Sequence, residues 1–334
     1  MTPSSPFNIG NIEIRNAVFL APMSGITDVP FRNLAWKFGA GMVISEMVAS
    51  EALVGGHLEM ERKSQSSDCP THVVQLSGRQ EYWMGEGVRA AEEAGANIID
   101  INMGCPSKRV TTGYSGSALM RDLGLALRLI EATIKAAKVP VTLKMRLGWD
   151  HDSINAPELA KMAQDAGVQM ITVHGRTRCQ FYKGNADWDL VKRVRDATDL
   201  PLVVNGDIHN VEDGKSALRK SGADAIMVGR ASYGAPWLPG MIAAQLAGSS
   251  SFIEPDGAGL LAVVLEHYHA ILDFYGEETG IRQARKHLGW YFERLDWSEL
   301  DVNLRKQALI SNDPMEVLQI IQTTFGHPPA RKVA

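Results

Sequence analysis

The chain has 334 residues, 45% hydrophobic and 22% charged, enough apolar material for a large buried core, which excludes disordered and fibrous architectures. Its 34 Lys and Arg against 38 Asp and Glu give a formal charge of -4, so the surface as a whole is no polycation and any nucleic-acid site must be a local patch. Three cysteines, Cys69, Cys105 and Cys179, form no C-x-x-C pair, which argues against a zinc site or a disulfide framework.

Residues 1–10 lack a basic start and an apolar run, so they do not read as a secretory signal. No run of ~18 uninterrupted apolar residues follows, and a cytoplasmic protein without membrane spans is expected. Short apolar runs then recur eight times, at 17–21, 42–45, 72–76, 98–102, 141–145, 170–174, 202–205 and 225–228. Most of the segments between them carry helical spacing, as in Leu123, Leu127, Ile130 and Ile134. Gly39, Gly95, Gly167 and Gly222 precede the even-numbered strands, where left-handed helix caps belong. Pro70, Pro140 and Pro201 precede the third, fifth and seventh, where a proline costs no ladder bond. Eight strand-helix units predict a (β/α)8 TIM barrel over residues 8–245, in preference to an open sheet. Gly85-x-Gly87-x-x-Ala90 spells a dinucleotide fingerprint, but it lies in a helical stretch and follows no strand. After the serine run at 249–251 the strand signals stop. Leu261, Val264, Leu265, Tyr268, Ile271, Leu272 and Tyr275 form one helical stripe, and Leu288, Tyr291, Phe292 and Leu295 another, predicting a small all-helical domain over 252–326.

Catalytic groups in such barrels sit where strands end. Lys144 and Arg146 share strand parity, so two cations face one side of a strand otherwise fit for burial. A buried cation needs an anion, supplied either by Asp100 or Glu46 in a structural ion pair or by an anionic cofactor. Asn205-Gly206-Asp207 and Gly229-Arg230 close the seventh and eighth strands, where barrels usually hold phosphate; the glycines admit a phosphate to the backbone and Arg230 adds a charge-assisted bond. Cys105 follows a buried strand in a Gly-Cys-Pro turn, and a thiol of pKa ~8.5 there can donate a proton to a developing carbanion. Cys69 and Cys179 read as small core residues. Lys108 and Arg109, just beyond the turn, read as a pair serving a phosphate or a polyanionic substrate.

Taken together, Ala21-Pro22-Met23-Ser24-Gly25-Ile26-Thr27-Asp28, Asp100-Ile101-Asn102-Met103-Gly104-Cys105-Pro106, Leu143-Lys144-Met145-Arg146, Val173-His174-Gly175-Arg176-Thr177 and Asn205-Gly206-Asp207-Ile208 resemble the tRNA-dihydrouridine synthases, specifically the bacterial B-type group. The likeness runs from about residue 8 to 325; Ser24 departs from the family's usual Ala. The resemblance implies FMN held by Pro22, Met23, Ser24, Gln75, Lys144, His174, Asn205, Gly206, Asp207, Gly229 and Arg230. It implies Cys105 as the proton donor, Asn102 orienting the uracil, and NADPH as the transient reductant. Hydride then reaches carbon 6 of a uridine in tRNA and Cys105 protonates carbon 5, after the base has left the tRNA fold at a cost of a few kcal/mol. Arg282, Arg285 and Lys286, at i, i+3 and i+4, match the family's tRNA-binding helix, and the family is expected to act as a monomer.

Two other readings compete. An FMN barrel acting on a free pyrimidine such as dihydroorotate explains the flavin and the cysteine but leaves the helices without a role. A non-catalytic RNA-binding protein on a retired scaffold is opposed by the competent residue at every chemical position.

Overall fold

The computed structural model describes residues 7–295 and 299–326. Its strands are β1 (Phe7–Ile9), β2 (Ile12–Ile14), β3 (Val18–Leu20), β4 (Met42–Ala49), β5 (Val73–Ser77), β6 (Ile98–Met103), β7 (Val141–Arg146), β8 (Met170–His174), β9 (Leu202–Asn205) and β10 (Ala225–Val228). Strands β3 to β10 are parallel and pair in sequence order, and β10 returns to β3 through Met227 opposite Phe19, closing the barrel. At least one helix follows every barrel strand, so both faces of the sheet are covered and the strands read as unbroken apolar runs. The helices begin where short polar side chains can cap them: Asp28 accepts from the Phe31 N–H, Asp122 from Leu125, Asp187 from Leu190 and Asn210 from Asp213. Gly39, Gly95, Gly167 and Gly222 all adopt positive φ, the left-handed geometry their places before strands predict.

Two differences from the sequence reading have local causes. Strand β4 continues past Ser45 to Ala49, its pairing with β5 shifting between Ile44 and Met47, and this irregularity carries Glu46 within the strand. The eight-strand reading also omits the antiparallel hairpin of β1 and β2. Its signal was present: Ile9, Ile12 and Ile14 flank a Gly10-Asn11 turn, and Gly10 has φ +61 with Gln169 Oε1 so near that any side chain would strike it. Ile9 and Ile14 join Phe19, Ile44, Val73, Ile98, Met170, Val203 and Met227 in one core. At ~1.5–3 kcal/mol for each buried isoleucine, that packing holds a hairpin that would be marginal alone.

The described residues divide into two compact units, those up to 231 with 238–250, and 232–237 with those from 251 onward. Residues 232–237, inside the 8–245 range expected for the barrel, thus group with the helices. In the second unit Gly257–Tyr275 packs on Glu277–Phe292 and on Pro314–Gly326 around Tyr268, Leu288, Tyr291 and the stacked pair Phe292 and Phe325, whose centroids are 5.2 Å apart. Tyr233 stacks on Trp290 at 4.1 Å. Among the described residues no helix is long and apolar enough to cross a membrane.

Candidate functional site

Strand parity builds the site. Val73, Ile98, Met170 and Val203 lie in the apolar core inside the barrel, so residues two and four further along these strands point the same way, toward the C-terminal mouth. Those positions are Gln75, Asp100, Asn102, Thr172, His174 and Asn205, and the register places Lys144 beside Asn102 and Thr172. A polar layer therefore rests directly on the apolar one.

Three of its members, Asp100, Gln75 and Asn102, are bonded in a chain. Asp100, 1% exposed, accepts from Thr142 Oγ1 at 2.6 Å and from Gln75 Nε2 at 2.7 Å; Gln75 Oε1 accepts from Asn102 Nδ2 at 2.7 Å. Asn102 Oδ1 then accepts the backbone N–H groups of Gly104 and Cys105. The amide expected to meet a uracil thus also fixes the turn that presents the thiol. Burial pushes the Asp100 carboxyl up, opposed by the bonds from Thr142 and Gln75 and by Lys144.

Lys144 is the anomaly of this layer. It is 9% exposed and donates to Asn205 Oδ1 at 3.2 Å, and among the described residues no carboxylate lies within ion-pair distance of it. Asp100 is bonded elsewhere, and Glu46 receives the Gly25 N–H at 2.5 Å. Desolvation, aided by Arg146, lowers the ammonium to about 8. The same burial, with the Arg146, Lys144, Arg176 and Arg230 charges, keeps His174 neutral.

Cys105 is part-buried, and burial pushes its thiol up against the opposing pull of the Ser107 N–H, Arg146 and Lys144. The thiol is protonated at neutral pH. Arg146 is 1% exposed and acts as a tie: Nε donates to Gly104 O, and Nη1 donates to Thr177 O and Phe181 O, each at 2.8 Å. It joins the Cys105 turn to the loop after β8.

At the ends of β9 and β10, Gly206 has φ +114 and Asp207 φ +54. A side chain at Gly206 would collide with the His174 ring, so only glycine lets the backbone pass there. The Asp207 carboxylate accepts from Arg176 Nη2 at 2.5 Å and from the Ala186 N–H at 2.7 Å. Burial would raise it, but these bonds with Arg176 and Arg230 outweigh that and hold it low. Arg230 lies 3.7 Å from Asp207 Oδ1 and 4.5 Å over the Tyr182 ring, with 45% of its side chain exposed. Gly229 opens onto Ala21, Asn205 and Met23, each 3.8–3.9 Å from where a Cβ would stand. Pro22 and Met23 are half-buried, and Ser24 is exposed.

The mouth thus gathers Met23, Gln75, Asn102, Cys105, Lys144, His174, Asn205, Gly206, Asp207, Gly229 and Arg230, with Pro22 and Ser24 on the adjoining turn. Lys108 and Arg109 are exposed on the short helix Lys108–Thr111. The basic face in the helical unit is divided: Arg282 is exposed and paired with Glu278 at 3.0 Å, Lys286 meets Gln283, and Arg285 Nη2 donates to Ile310 O, Ser311 O and Asn312 Oδ1. Arg285 caps the helix Glu299–Ile310. Cys69 is buried as expected, whereas Cys179 is exposed, because it falls in the turns after β8 and not in an element. The sequence reading gave Arg176 and Tyr182 no role. Type alone places an arginine on the surface, and only the ring of acceptors around Arg176 explains its 2% exposure.

A closed parallel barrel whose strand ends carry a buried ammonium with no carboxylate at ion-pair distance among the described residues, beside a protonated thiol, is the site of a (β/α)8-barrel enzyme. Residues 19–326 match the Dihydrouridine synthase (Dus) family, and the chain belongs to it. It is 52% identical over 306 residues to a probable tRNA-dihydrouridine synthase of Rhizobium leguminosarum bv. phaseoli, covering 92% of this chain and 94% of the relative. It is 43% identical over 284 residues to tRNA-dihydrouridine synthase B of Xanthomonas axonopodis pv. citri, covering 85% and 86%. Among solved structures, histamine dehydrogenase from Rhizobium sp. 4-9 shares the fold at TM-score 0.54 and 14% identity, over 80% of this chain and 51% of that one. This chain spans about half the length of that structure.

Proposed function

We propose that this protein reduces specific uridines in tRNA to 5,6-dihydrouridine, with FMN bound at the strand ends and NADPH as the reductant. The observation that carries the reading is Lys144, a buried ammonium with no carboxylate in ion-pair range among the described residues, set close enough to Cys105 for the two to perturb each other. A buried cation of this kind fits an anionic ring system brought from outside better than a structural role. Bound FMN supplies the hydride that goes to carbon 6 of the uracil.

The chain's own residues do the rest. Lys144, Gln75, His174 and Asn205 hold the ring, with Pro22, Met23 and Ser24 on the neighbouring turn. The backbone at Gly206, Asp207 and Gly229, with the Arg230 guanidinium, holds the phosphate; the Asp207 carboxylate serves by fixing Arg176 and the Ala186 amide. Cys105 Sγ gives its proton to carbon 5, a role that requires the thiol and not the thiolate, and its raised pKa preserves that form. Asn102 sets the direction of that thiol through the Cys105 N–H. Lys108, Arg109, Arg282 and Lys286 offer local positive charge to the tRNA backbone on a chain of net charge -4.

The test is the dihydrouridine content of tRNA from a strain lacking the gene, with the purified protein restoring it in vitro in the presence of NADPH. Unchanged dihydrouridine in the deletion strain, or a colourless protein that turns over a free pyrimidine but not tRNA, would overturn the proposal.

A further inference from the structure

Three non-glycine residues among those described have positive φ: Tyr114 at 55°, Phe181 at 56° and Asp207 at 54°. Asp207 lies in the site. The other two are bulky aromatics with 67% and 43% of their surface exposed, on the loops after β6 and β8. An exposed apolar side chain alone needs no explanation, but a large ring on left-handed backbone is uncommon, and such strain gathers at functional positions.

Both loops adjoin the reacting thiol. The segment carrying Tyr114 folds back on Cys105, whose carbonyl accepts from the Ser117 N–H at 3.1 Å and Oγ at 2.8 Å. Phe181 is held through its own carbonyl by Arg146, which also grips Gly104 O beside Cys105. Arg178 Nη2 meets Thr111 Oγ1 at 3.3 Å, so the two loops form one surface. Exposed cations interleave with the rings: Lys108 and Arg109 precede Tyr114, and Lys183 follows Phe181. Glu59, which feels Arg109, is already held by Lys63. Exposed aromatic faces among cations are the composition that binds single-stranded nucleic acid, with bases on the rings and phosphates on the charges.

We propose that Tyr114 and Phe181 form a stacking platform for the nucleotides that flank the target uridine once it has left the tRNA fold. The inference rests on the proposed reaction for its substrate, and it adds a determinant of sequence context outside the cofactor site.

The test uses Tyr114→Gly and Phe181→Gly, which remove the ring while relieving the backbone, with Tyr114→Phe as the conservative control. One readout is KM and kcat on unmodified tRNA transcript. The other is quenching of 2-aminopurine placed beside uridine in a short single-stranded RNA, which needs no turnover. Each glycine variant is expected to raise KM about 5- to 150-fold with a smaller change in kcat, and to lose part of the quenching that Tyr114→Phe keeps. Parental KM and parental quenching in both glycine variants, or no quenching by the parent protein, overturns the platform. A parent that quenches through these rings but forms no dihydrouridine leaves the platform standing and sinks the proposed reaction instead.

Discussion

Replacing Lys144 by Met should stabilise the flavin-free protein while weakening its hold on FMN. The ammonium is buried, has no carboxylate within ion-pair distance among the described residues, and is lowered from 10.5 to about 8 chiefly by desolvation, against the opposing pull of Asp100. Because the folded pKa lies below the unfolded one, the unfolded chain binds more protons between pH 8 and 10.5, and stability forgone at low pH is regained as pH rises through that window. The penalty amounts to about 3 kcal/mol at pH 7 and about 1 kcal/mol at pH 10. Methionine fills a similar volume without the charge, so its stabilising effect should be largest at pH 7 and shrink toward pH 10. Thermal unfolding of flavin-stripped wild type and variant at both pH values measures this, since the difference cancels the titrating groups that do not feel Lys144. FMN titration supplies the second half: the variant forfeits a charge-assisted bond of ~1.5–3 kcal/mol, a loss of about tenfold or more in affinity. A variant that is less stable at pH 7 and binds FMN normally would mean that Lys144 already has an anionic partner inside the barrel, and the argument for an external anion would fail.

Cys105→Ala should retain FMN and its reduction by NADPH yet lose ~10²–10⁴-fold in turnover on tRNA, measured by single-turnover kinetics of the prereduced enzyme. In the wild type that rate should hold steady through neutral pH and fall only as the raised thiol pKa is passed, because the protonated form acts; a rate that climbs with pH instead would point to another donor. Exposed Cys179 should be the first thiol alkylated, with turnover preserved, and mass spectrometry of the labelled peptide against activity decides it. Arg282→Ala should weaken tRNA binding and flatten its salt dependence by somewhat less than one unit, whereas Arg285→Ala should chiefly lower the melting temperature of the helical unit by uncapping Glu299–Ile310; reversed effects would reassign both. Phe292→Ala, which empties the place of a fully buried ring stacked on Phe325, should destabilise the same unit by ~3–5 kcal/mol in urea unfolding.

The barrel was legible because its strands are buried on both faces and its punctuation is chemical: Gly39, Gly95, Gly167 and Gly222 sit where helices must turn left-handed before a strand. Lys144 and Arg146 could be read from parity, since side chains on one strand alternate and two cations on one face are conspicuous. What parity cannot supply is the partner. Whether Lys144 met Asp100 depended on side chains that reach across strands, and the structure gives that carboxylate to Thr142 and Gln75 instead. Arg285 shows the same limit in reverse: spacing put it on a basic face, and the structure sets its Nη2 against the carbonyls ending another helix. Cys179 was misplaced because the default for cysteine ignores that its neighbours, Arg178 to Gly184, form turns with few apolar side chains.

The closure of the barrel has a consequence for how the chain is made. Strand β3 finds its second neighbour only in β10, with Val18 opposite Ile226, so the first barrel strand emerges from the ribosome some 208 residues before the strand that completes its pairing. At ~5–20 residues per second that interval is about 10–40 s, during which Val18 to Leu20, fully buried in the finished protein, present an unpaired apolar edge. The hairpin of β1 and β2 precedes them, and its isoleucines belong to a core that includes Met170, Val203 and Met227. The hairpin and β3 therefore complete their packing only when residues near 227 arrive, and nascent chains stalled before β10 should be the ones that chaperones hold and that aggregate when they do not.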